Sequence, residues 1–216
     1  MKQLTPFYET FNDALLATWP MLTLFIVILV LTRIVKIVIN KEKFEFYKEF
    51  YNLLLILYML LLYYMLLSTD NAAAFGTNII PFREMTRYTF GSKSFFYNVV
   101  GNIALFIPFG YFISDYLKAK KTTHIILVSI IVSLTAELIQ YKIGRAFDVD
   151  DIILNTVGAL IGFIFYVLIQ SIKKHLPEFL QNEVFYNILA ILVLVIIIAG
   201  YVLARGGRLI WKMNTQ

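Results

Sequence analysis

The sequence predicts an all-α integral membrane protein of about six transmembrane helices in one bundle. A polar pocket is expected at one membrane face, between spans three, four and five. Three observations carry this prediction. Of 216 residues, 60% are hydrophobic and only 15% charged, against about a quarter charged in a soluble domain. Mean hydropathy is +0.75, and the apolar residues gather in runs of about 20, the length that crosses a bilayer. The polar residues inside those runs cluster at the ends of three particular spans. No repeat or low-complexity tract divides the chain, which reads as a single transmembrane domain, 1–216.

Composition also excludes several functions. There is no cysteine, hence neither a disulfide framework nor a thiolate metal site. His124 and His175 sit far apart at segment ends, which argues against a histidine-based metal centre. The net charge of +5 comes from short basic clusters beside apolar runs. Anionic lipid and topology explain these, and nucleic acid is rejected as a partner. Residues 1–19 contain Glu9 and Asp13 and lack a basic start, so no cleavable signal peptide is expected.

The candidate spans are 19–39, 50–68, 96–117, 123–141, 151–170 and 184–204. The second, fourth and sixth are nearly uninterrupted. The third and fifth carry Asn, Gly and Pro, as packed membrane helices do. In the third, Pro108 removes a backbone hydrogen bond and predicts a kink, with carbonyls freed near Ala104 and Leu105; Gly110 follows. The connection 69–95 is long for a compact domain. Its AAAFG and NIIPF pieces suggest a loop lying on the membrane surface or dipping into it; the plainer reading is an interfacial connector. Lysine and arginine divide almost evenly between the two sides. The KAKK and IKK turns are basic without nearby acids, which favours both termini outside the cytoplasm.

Alternation of the spans brings the start of the third, the end of the fourth and the start of the fifth to one face. There Asn98 and Asn102 open span three, Glu137 and Gln140 close span four, and Arg145, Asp148, Asp150, Asp151 and Asn155 open span five. The long loop arrives at the same face with Asn78, Pro81 and Arg83. Asn98 and Asn102 are four apart, so one helix face is expected for both. Asp148, Asp151, Asn155, Gly158 and Gly162 share one stripe if the helix begins near Phe147. At 1.5 Å per residue, Asn155 lies roughly 10 Å deeper than Asp148. Asp150 points elsewhere. Gly158 and Gly162 form a small-xxx-small face for close helix packing.

These blocks resemble a known family. NVVGNIALFIPFG, AELIQ and RAFDVDDIILNTVGALIG, in that order, are similar to the signatures of VanZ-like membrane proteins, and NIIPF resembles the family's entry motif. The resemblance covers about residues 78–165. By position it carries Asn98, Asn102, Phe106, Pro108, Gly110, Glu137, Gln140, Arg145, Asp148, Asp151, Asn155, Gly158 and Gly162. Asp150 is an acid beyond the minimal pattern. The resemblance implies a multi-pass protein of the bacterial plasma membrane associated with resistance to teicoplanin, a glycopeptide antibiotic.

Three readings of the polar cluster stand side by side. The bland one makes Asn98, Asn102, Gln140 and Asn155 interhelical glue, each bond contributing roughly 0.5–2 kcal/mol, with Arg145 neutralising Asp148 or Glu137. The second is a binding site for a lipid-linked cell-wall precursor, another lipid headgroup or the antibiotic, with Arg83 among its residues. The third is a membrane enzyme acting on a lipid-linked phosphate or sugar. In it Asp148, Asp150, Asp151 and Glu137 hold a divalent cation, or one carboxylate supplies a general base. No cofactor motif is evident. Transport is a minor fourth reading, without an inverted repeat to support it.

Overall fold

The computed structural model describes residues 5–41, 43–67 and 77–214. Six of its helices are long and apolar enough to cross a membrane. They are α1 (Thr5–Asn40), α2 (Phe46–Leu67), α5 (Gly101–Leu117) with the turns that lead into it, α6 (Thr122–Lys142), α7 (Val149–His175) and α8 (Glu183–Asn214). The all-helical membrane class is therefore as expected, and the protein is a multi-pass membrane protein.

The long loop is more structured than a plain connector. Residues Thr77–Asn78 form a short strand β1, paired in parallel with β2 (Phe147–Asp148). A one-turn helix α3 (Arg83–Arg87) follows. A further helical turn, α4 (Lys93–Phe95), runs through a π-helical turn (Phe96–Val100) into α5. The AAAFG piece lies outside the described residues.

The chain divides into two compact units. One is built mainly from residues 55–172, and the other from 29–54 together with residues from 173 onward. Polar contacts fasten the second unit. Arg33 donates to the Glu49 carboxylate at 2.7 Å through its terminal nitrogen and at 2.9 Å through Nε. Lys43 pairs with Glu183 at 2.8 Å, and the Tyr47 N–H donates to Asn187 Oδ1 at 2.9 Å.

In the first unit the core lies between α2, α5, α6 and α7. Phe106, Phe109, Ile125, Ala159, Phe163 and Tyr166 are buried together. Its closest seam is α5 against α7. A Cβ on Gly158 would stand 2.2 Å from the Ile103 carbonyl oxygen. One on Gly162 would stand 2.1 Å from that of Ile107, and one on Gly110 2.0 Å from that of Ala159. Backbone packs on backbone here, which only glycine allows. The helix continues through Pro108, and the hydroxyl of Tyr58 on α2 donates to the Leu105 carbonyl at 2.6 Å. One of the carbonyls expected to be freed thus has a partner, as hydrocarbon surroundings demand.

Gly162→Val should push α5 and α7 apart, because no side-chain rearrangement moves a facing carbonyl. We expect a loss of roughly 1–3 kcal/mol, the usual cost of overpacking, read as a lowered Tm of the purified protein in mild detergent. An unchanged Tm would contradict the backbone-on-backbone seam.

Candidate functional site

The turn between α6 and α7 builds the site. Gly144 has φ +91°, a left-handed conformation that costs a residue with a Cβ. The Gly144 N–H donates to the Tyr141 carbonyl at 3.2 Å, and the Arg145 N–H to that of Gln140 at 3.0 Å. This pair of bonds closes α6 and reverses the chain. The chain then meets β1, where the Asn78 amide donates to Asp148 Oδ1 at 2.8 Å. The same oxygen accepts the Asp150 N–H at 2.8 Å, so Asp148 caps the start of α7 rather than joining its helical stripe. Behind it, the buried Glu137 accepts the Asp148 N–H at 2.8 Å.

Asp150 is 1% exposed. Its carboxylate accepts the N–H of Phe82 at 2.5 Å, of Glu84 at 2.8 Å and of Met85 at 3.1 Å. These are the unpaired donors at the N-terminal end of α3. Asp150, expected from sequence as a binding residue and an acid beyond the family pattern, is thus the clamp that fixes the loop over α7.

Asp151 faces α5 and accepts the Asn102 amide at 2.6 Å. Between α3, the lead into α5, and the start of α7 lies a pocket of about 60 Å³, room for about two water molecules. It is lined by Glu84, Met85, Tyr88, Asn98, Val99, Asp148, Asp150, Asp151 and Leu154. The second carboxylate oxygens of Asp148 and Asp151 have no protein partner among the described residues. Burial raises the Asp148 carboxyl above the usual carboxylate range, against the opposing pull of the Asp150 N–H and the Asn78 amide. Burial likewise raises the Tyr88 phenol.

The expected cluster therefore separates into parts. Asn98, Asp148, Asp150 and Asp151 line the pocket, and Asn102 and Glu137 hold two of its acids. Asn98 does not share the role of Asn102: the π turn shifts its phase, and its amide donates to the Ser94 carbonyl at 3.0 Å. Gln140 and Arg145 donate to the Leu66 carbonyl at the end of α2 at 2.5 and 3.3 Å, and the Arg145 charge also acts on Glu137 and Asp151. Asn155 is 2% exposed and donates to Ser133 on α6 at 2.8 Å, away from the pocket lining. Arg83 is exposed on α3 and does not line the pocket.

Glu137, Asp148, Asp150 and Asp151 do not assemble into a metal-binding group; no cluster of three or more potential ligands with that geometry occurs among the described residues. Sequence reasoning missed Glu84, Met85 and Tyr88 as pocket walls. Glu84 and Tyr88 are four apart in REMTRY, a spacing that would have placed them on one face had the helical turn been foreseen.

Comparison with known proteins gives three findings. The family model described as VanZ/LLP1 matches residues 50–170. Protein VanZ of Enterococcus faecium is 30% identical over 118 residues, covering 53% of this chain and 71% of that protein. No solved structure matches.

Asp150→Ala should release the loop, since three N–H donors lose their acceptor. Losing about 1.5–3 kcal/mol, the worth of one hydrogen bond to a charged group, raises the open population about tenfold or more. Limited trypsin digestion should then cut faster at the exposed Arg83 and Arg87, with the helices still protected. Equal cleavage in both proteins would refute the clamp.

Proposed function

The chain belongs to the VanZ/LLP1 family, and from that premise we propose that it lowers susceptibility to teicoplanin-class glycopeptides by holding an envelope-lipid headgroup. Its place is the bacterial plasma membrane, with the acidic pocket at the outer face. The resemblance of its three motif blocks to VanZ-like proteins carries the link to teicoplanin.

The single observation that supports binding is the acceptor-rich pocket itself. Asp148, Asp150, Asp151 and Glu84 line it, and no lysine or arginine does. Such a lining repels phosphate and accepts hydrogen-bond donors. At about 60 Å³ it admits a hydroxyl or an amine of a headgroup, not a whole glycopeptide. A lipid-linked wall precursor or another lipid with sugar hydroxyls or an amine fits this chemistry. The packing reading retains part of the cluster: Gln140, Arg145 and Asn155 satisfy neighbouring polar groups and act as glue.

Expressed in a glycopeptide-susceptible Gram-positive host, the wild-type chain should raise the teicoplanin concentration needed to stop growth. Asp148→Ala and Asp151→Ala should return it to the level of the empty-vector strain at equal protein abundance. Arg83→Ala, which changes a residue outside the pocket, should retain the effect. Full resistance in both aspartate variants would sink the role of the pocket.

A further inference from the structure

On a different face of α6 from Glu137 and Ser133 lies a second, larger hollow. It is bounded by residues of α2, α5 and α6 that all lie within the first unit, and measures about 440 Å³. Its walls are apolar, from Met59 and Leu62 on α2, through Phe109 and Ile113 on α5, to Val132 and Ile139 on α6. It lies within segments long and apolar enough to cross a membrane, so water does not fill it.

The groove ends in positive charge. Leu66 is part of its lining, and the Arg145 guanidinium donates to the Leu66 carbonyl at 3.3 Å. Thr135, Ile139 and Lys142 step along α6 by four and three residues, so the exposed Lys142 stands just beyond the groove on the same stripe. Arg145 also acts on the charges of Glu137 and Asp151, whereas Lys142 stands on the exposed stripe of α6, apart from the face that carries Glu137. The hollow is apolar along its length and lies at membrane depth, where hydrocarbon chains are the surrounding medium. A single flexible hydrocarbon chain is the occupant that fits.

We propose that the groove between α2, α5 and α6 binds one hydrocarbon chain of an anionic membrane lipid, with its headgroup against Lys142. The groove is a site separate from the acidic pocket and does not depend on what that pocket binds. The apolar walls take the chain, and Lys142 selects the headgroup charge.

The test uses the full chain reconstituted in vesicles containing phosphatidylglycerol with a photoreactive group in the acyl chain, and in parallel the matching phosphatidylcholine. Labelled peptides are mapped by mass spectrometry. The expected result is labelling concentrated on the groove segments of α2, α5 and α6, and stronger with phosphatidylglycerol. Lys142→Gln should lower phosphatidylglycerol labelling about fivefold, the effect of one cation beside an anionic headgroup, and leave phosphatidylcholine labelling unchanged. Thr135→Phe and Ile131→Phe fill the groove from positions exposed on α6, so they should fold and lose the groove labelling.

Labelling spread evenly over the lipid-facing helices, meaning annular lipid only, would overturn the proposal. So would a groove that stays unlabelled because protein covers it, or labelling that survives both filling variants.

Discussion

Backbone contact between α5 and α7 is the constraint on which the rest depends. With Gly158 against the Ile103 carbonyl and Gly162 against that of Ile107, the two helices run side by side with backbone on backbone at both positions. Two turns before Gly158, the same proximity sets Asp151 within 2.6 Å of the Asn102 amide. A bulkier seam would widen the start of α7 along with everything placed on it. In hydrocarbon, helices gain little from excluding water, so close packing and a few polar bonds must hold them. Here the two work together, since the small residues permit the distance at which the polar bond forms.

Above that seam the acids divide their duties. Asp148 closes the first turn of α7 and holds Asn78, Glu137 stands behind it, and Asp150 takes up the open end of α3. Each of these bonds satisfies a backbone or amide donor in a place where little water reaches. Asp148 and Asp151 also line the pocket, beside Glu84 and Tyr88. A cluster that is largely structural can thus present a small, acceptor-rich surface, and the packing and binding readings describe different atoms of the same residues.

The limits of sequence reading show at particular positions. Asn98 and Asn102 look equivalent at a spacing of four, but a π turn breaks the regular period on which that inference rests. Gln140 and Arg145 sit within the motif blocks, yet they serve the end of α2, a helix without a readable motif. Asp150 reads as surplus charge because its partners are backbone N–H groups some 65–68 residues away, and a backbone donor leaves no mark in a sequence. Glu84 and Tyr88 went unread for the opposite reason, since a one-turn helix carries no hydrophobic period to reveal it.

The sequence by itself determined the membrane class, the spans, the face on which the polar groups gather and the glycine stripe of α7. All of these follow from local periodicity and from the alternation of helices across a bilayer. Only the tertiary structure decided which polar groups meet. The clamp of Asp150 on α3, the pairing of Asn78 with Asp148, and the apolar groove ending at Lys142 and Arg145 join segments far apart in the chain. Their partners are chosen by how closely the helices approach, and that distance is a property of the packed molecule rather than of any one stretch of residues.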